Sequence, residues 1–157
     1  RHLPPEVPLP ALVEAVRADT GLPVVAAGGV ATRDHVAAAL GAGAMAVMVG
    51  TALLLSDESG ASPAYRGALA GPSRGGTVVT RAFTGRPARG LPNAFTRQFG
   101  ATAPLGYPAV HHLTRGLRRA AAAAGDPEHV NLWAGTGYRG ARRGPAATIL
   151  AGLAEGL

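Results

Sequence analysis

The chain has 157 residues, 47% of them hydrophobic but only 4% aromatic, so alanine, valine and leucine must fill one core of domain size. Its formal charge of +6 comes from arginine without any lysine; the arginines are scattered and no aromatic residue alternates with them, which argues against a nucleic-acid partner. The lack of cysteine excludes disulfides, thiolate metal sites and a cysteine nucleophile, and no apolar run reaches the ~18 residues of a membrane span, so a cytoplasmic protein with no membrane partner is expected.

Residues 1–9 are too rich in proline for helix or strand and read as the tail of a loop. Pro10 suits a first helical turn; Leu12, Val13 and Val16 share one face, and Gly21 followed by Pro23 ends the helix. Val24–Ala27 then reads as a strand. Its continuous Val/Ala run predicts a parallel strand covered on both faces. Thr32 is the expected N-cap of a helix from Arg33 to Leu40 with an apolar stripe of Val36, Ala39 and Leu40. A second strand, Ala46–Val49, completes a βαβ unit.

Each of these strands runs into glycine: Ala27-Gly28-Gly29 after the first, Gly50-Thr51 after the second. Such positions serve either tight turns or the close approach of backbone N–H groups to an anion. A (β/α)₈ barrel often holds a phosphate between the loops after its last two strands, and this pair of loops has that pattern. A barrel usually needs about 250 residues, so either the fold is smaller than a barrel or its N-terminal part is missing. The second is expected, with residues 1–157 the C-terminal portion of a single barrel domain whose earlier strands lie upstream.

Further on, Pro63 to Leu69 predicts a short helix and Thr77 to Phe83 an extended segment. The stretch 85–93 (Gly-Arg-Pro-Ala-Arg-Gly-Leu-Pro-Asn) holds too many breakers for a regular element. The remainder is mainly helical: Val110–Ala124, then a Gly-rich segment around Trp133-Ala134-Gly135-Thr136-Gly137, then Pro145–Leu157 with Ile149, Leu150 and Leu153 turned inward. Arg86, Arg89 and Asn93 are polar groups in a loop, where they either carry function or pin the chain. Neighbouring residues of a helix point about 100° apart, and no carboxylate follows His111-His112 by three or four positions, so no metal site is read there.

Taken in order, Ala26-Ala27-Gly28-Gly29-Val30, Ala39-Leu40-Gly41-Ala42-Gly43-Ala44, Val49-Gly50-Thr51, Gly85-Arg86-Pro87-Ala88-Arg89-Gly90 and Ala103-Pro104-Leu105-Gly106-Tyr107-Pro108 resemble the C-terminal part of the nitronate monooxygenases, also called 2-nitropropane dioxygenases. The resemblance implies an α/β fold: part of an FMN-binding (β/α)₈ TIM barrel followed by a mainly helical segment. It implies FMN as cofactor and oxidation of small alkyl nitronates by O₂ to a carbonyl compound and nitrite, with a homo-oligomer left open. By the same resemblance Ala27, Gly28, Gly29, Gly50 and Thr51 bind the cofactor, their N–H groups and the Thr51 hydroxyl holding the FMN phosphate.

The family's catalytic histidine stands in a Glu-Ala-Gly-Gly-His-Gly type of motif that this chain lacks, so it is expected upstream of Arg1. None of His2, His35, His111, His112 and His129 has that context, although His2 is nearest to it in sequence. The family's frequent Ala-Gly-Gln reads Ala134-Gly135-Thr136 here, and Tyr107 either packs or lines the substrate side of the flavin. Two rivals share much of this pattern. One is the flavin-dependent enoyl-acyl-carrier-protein reductase, which uses NAD(P)H; the other is a truncated, non-catalytic flavin- or phosphate-binding protein.

Overall fold

A computed structural model describes residues 6–157. The first helix, α1 (Leu9–Thr20), ends where Gly21 turns left-handed at φ 65° and returns its N–H to Arg17. It leads into β1 (Val25–Ala27), α2 (Arg33–Gly41) and β2 (Ala46–Met48). As expected from Thr32, its hydroxyl caps α2 by accepting the His35 N–H at 3.3 Å. The strands pair in parallel, with Val25 opposite Ala46 and Ala27 opposite Met48. Ala26, Ala39, Ala42, Ala44 and Val13 form the core between helices and strands. Because alanine dominates there, the layers approach closely.

Two expectations about this unit fail. Only one face of the sheet is covered: Val25 is 53% and Met48 62% exposed, because no other element among the described residues lies against that side. On α1, Val13 alone is buried, while Leu12 and Val16 are 45% and 37% exposed. Two strands of three residues make a platform too narrow to cover the whole apolar face of the helix.

After a 3₁₀ turn at Thr51–Leu53, α3 (Pro63–Ala70) starts from the Ser62 cap. A hairpin of β3 (Val78–Thr80) and β4 (Ala88–Gly90) follows. Within the breaker-rich stretch 85–93, Ala88–Gly90 is therefore a strand, while the residues on either side of it are irregular as expected. The chain reverses ahead of it, where the Gly85 N–H returns to the Arg81 carbonyl at 2.7 Å, and Gly90 lies so close to the next segment that a Cβ there would fall 2.5 Å from the Leu132 carbonyl oxygen. That contact is productive: Leu91 N–H bonds to Leu132, Ala134 N–H bonds to Arg89, and residues 132–134 run antiparallel beside β4.

A short helix, α4 (Ala94–Phe99), also escaped the sequence reading; six residues are too few to show a period. It is fixed instead by its cap, in which Asn93 and Thr96 each bond the other's backbone. Asn93 is fully buried and also donates to the Pro127 and Val130 carbonyls, so its role is to hold chain rather than ligand.

The long α5 (Ala109–Ala123) and the closing α6 (Ala146–Ala154) complete the fold. Both carboxylate oxygens of Glu58 receive the Ala146 N–H at the start of α6, at 3.1 and 2.9 Å. Arg33 donates to the carbonyls of Glu155 and Gly156 at its other end. Ile149 and Leu153 are half-buried, but Leu150 is 44% exposed, contrary to the inward placement expected of it. α6 touches α2 and the Thr51–Leu53 turn, and none of its residues is fully buried.

Candidate functional site

Ala27, Gly28, Gly29, Gly50 and Thr51 converge on one cavity of about 330 Å³ at the carboxyl ends of β1 and β2. Gly28 and Gly29 leave β1 at φ 112° and 72°, values that L side chains resist, so the turn needs glycine. The N–H groups of Gly29 and Gly50 bond to nothing among the described residues. Met48, Gly135 and Gly137 also line the cavity, and no charged side chain does. Neutral backbone donors and one hydroxyl make it suited to an anion whose charge is met by N–H dipoles.

The third wall was not anticipated. Residues 133–137 lie across the strand-end loops and are tied to them by the Gly135 N–H, which donates to Thr51 Oγ1 at 2.9 Å. Gly137 crosses the loop so tightly that a Cβ would come within 2.3 Å of the Gly29 carbonyl oxygen. A signal for this contact was in the sequence, the spacing Gly135-x-Gly137, but its partner lies about a hundred residues earlier in the chain.

The sequence profile of the nitronate monooxygenases matches residues 4–156. The chain belongs to the nitronate monooxygenase family. It is 45% identical over 152 residues to the nitronate monooxygenase of Pseudomonas aeruginosa, covering 94% of this chain and 43% of that protein. A probable nitronate monooxygenase of Staphylococcus aureus is 38% identical over 148 residues, 92% of this chain and 40% of its own.

Among solved structures, the nitroalkane oxidase of Streptomyces ansochromogenes superposes with a TM-score of 0.91 at 51% identity, over 94% of this chain and 43% of that one. FabK of Thermotoga maritima gives 0.76 at 32% identity, over 95% and 48%. The chain thus spans less than half the length of these relatives.

A second cavity of about 740 Å³ adjoins the first, sharing Ala27, Gly28, Gly29, Val30 and Gly135 and adding His35, Thr136 and Arg89. Thr136 is close to Gly29: a Cβ on that glycine would meet Thr136 Oγ1 at 2.7 Å. His35 is exposed, with its Nδ1 3.4 Å from the Ala31 N–H. Arg89 pairs with Glu6 and donates to Thr77 Oγ1 at 2.9 Å, so it pins the hairpin to the start of the chain. Arg86 lines neither cavity.

His111, His112, His129 and Tyr107 line neither cavity. Tyr107 is 59% exposed beside the His111 ring. Desolvation, helped by the Arg118 charge, lowers the pKa of His111. His129 contacts Asp126 at 2.6 Å; hydrogen bonds from His129 and the Glu128 N–H hold that carboxyl below its usual range. His2 lies outside the described residues.

Proposed function

We propose that the intact protein is an FMN-dependent enzyme that oxidises small alkyl nitronates with O₂, and that α1 to β2 form the last strand-and-helix units of its (β/α)₈ barrel. The observation that carries this reading is the 330 Å³ cavity, where two consecutive parallel strands end in glycine. Barrels commonly hold a phosphate between these loops. The residues present suit a phosphate group: unpartnered N–H groups at Gly29 and Gly50, and the Thr51 hydroxyl.

In this reading Gly29, Gly50 and Thr51 anchor the phosphate, and residues 133–137 close the anchor from above. The exposed faces of Val25 and Met48 turn toward the barrel interior, where neighbouring strands would cover them. When bound, FMN supplies the one-electron oxidation of the nitronate and the reduction of O₂, with a carbonyl compound and nitrite as products. In this reading the family's catalytic histidine comes from an earlier strand, since none of the histidines described here stands in its motif.

Purified intact protein is expected to release FMN on acid treatment, to consume O₂ with a small alkyl nitronate and to form nitrite. Absence of flavin overturns the proposal. So does rapid reduction of its flavin by NADPH without nitronate oxidation, the behaviour of an enoyl-acyl-carrier-protein reductase.

A further inference from the structure

Thr51 stands between the anion cavity and the segment that covers it. Its Oγ1 accepts the Gly135 N–H at 2.9 Å, while the residue lines the same cavity as Gly29 and Gly50. A threonine hydroxyl has one proton to donate and two lone pairs with which to accept. The bond from Gly135 occupies a lone pair only. Among the described residues the hydroxyl donates to nothing, so its proton remains for a group in the cavity.

We propose that Thr51 couples the two events: anion binding in the cavity tightens the docking of residues 133–137, and docking tightens the anion. This rests on the phosphate reading above. When the hydroxyl donates to an anion, its oxygen becomes more negative and a better acceptor for Gly135, since linked hydrogen bonds polarise one another. Coupling of this kind is reciprocal.

The link is also unshared. Among the described residues, the Gly135–Thr51 bond is the only hydrogen bond between residues 133–137 and the loops after β1 and β2. The remaining contacts there, of Gly135, Thr136 and Gly137 with Gly29 and of Gly137 with Ala31, are close packing without a hydrogen bond. Because Thr136 follows directly and lines the larger cavity, the docked position of this segment also sets a wall there. Thr51 is thus a positioning residue for the neighbouring cavity as well as an anion ligand.

The test is amide hydrogen exchange at single-residue resolution in the intact protein, without ligand, with FMN and with inorganic phosphate alone. In the wild type, saturating FMN or phosphate slows exchange at Gly29, Gly50 and Gly135, the last by about tenfold, a size typical of coupled sites. Thr51→Ser keeps all three effects. Thr51→Val, similar in shape but without the hydroxyl, keeps the slowing at Gly29 and Gly50 and loses it at Gly135.

Slowing of Gly135 to the same degree in Thr51→Val overturns the coupling. Wild-type protein whose Gly29 and Gly50 amides respond while Gly135 does not also overturns it, whether or not the variant folds. If none of the three responds in the wild type, the phosphate reading falls together with the coupling.

Discussion

The strand-end loops and the half of the chain around the hairpin are built on opposite plans. Around the 330 Å³ cavity the wall is five glycines, four apolar residues (Ala27, Val30, Met48, Val49) and one threonine, with no charge. Around β3, β4 and α4 the chain is held by side chains. Phe83 stacks on Phe95 at 4.6 Å and meets Trp133 edge-on at 5.8 Å. Glu128 gathers Arg74, Arg97 and the Ala94 N–H. The contrast teaches where substitutions should register. In the second region they cost stability; at the open positions of the first they cost ligand.

The largest stability effect should come from the aromatic cluster. Phe83 is completely buried, and its carbonyl accepts the Thr114 hydroxyl at 2.6 Å. Phe83→Ala would leave a void between Phe95 and Trp133 and lower the unfolding free energy by about 3–5 kcal/mol. Urea unfolding of the intact protein measures this, and the folded fraction should still carry flavin. A loss below about 1 kcal/mol would show that the cluster relaxes like a surface and would break the contrast.

Glu128 tests the same region at smaller scale. Partial burial pushes its carboxyl up, but hydrogen bonds from Arg74, the Ala94 N–H and Arg97 outweigh this and hold it below its ordinary value. A carboxyl depressed on folding stabilises fully above its unfolded pKa, and the gain is lost as pH falls through the folded value. The stabilisation from Glu128 is therefore complete above about pH 5 and fades below the ordinary glutamate range. Glu128→Gln is expected to cost about 1 kcal/mol at neutral pH, since the group is partly solvated and charge-assisted bonds there are screened. The deficit should shrink when melting is followed into acid; a constant deficit would mean that the charge is not what stabilises.

The two plans also differ in how much the sequence discloses. Strand, glycine, helix and cap follow one another within a few residues from Val24 to Thr32, so α2, its cap and the turn at Gly28-Gly29 were all legible. The hairpin was not. β4 is stabilised by partners at Val78–Thr80 and Leu132–Ala134, and the helix-starting role of Asn93 depends on carbonyls at Pro127 and Val130. Proline and glycine marked the turn and the close crossing there, and local composition could not distinguish these from disorder. The third wall of the cavity failed for the same reason: Gly135 and Gly137 have meaning only once Thr51 and Gly29 lie beneath them. The exposed face of Val25 and Met48 shows the converse error, in which a correct strand was given a burial that these residues alone do not supply.

The smallest effect on stability should accompany the largest on ligand, at Gly50. Gly29 is the poorer probe, because its φ of 72° strains any side chain and a Cβ would also meet Thr136. Gly50 has φ −121°, outside the left-handed region that strains Gly29, and a Cβ built there meets no protein atom within 4 Å. Gly50→Val therefore adds two methyl groups and a Cβ beside the cavity without forcing the fold to move. Its unfolding free energy should lie within about 0.5 kcal/mol of wild type, as for substitutions that touch nothing. If the Gly50 N–H closes on a phosphate, the same side chain blocks that approach, and absorbance after gel filtration should show flavin lost from a folded protein. Full flavin retention would move the anion away from Gly50 and remove the reason for reading these loops as its anchor. Loss of flavin together with loss of fold would show instead that the open loop is as tightly constrained as the aromatic cluster.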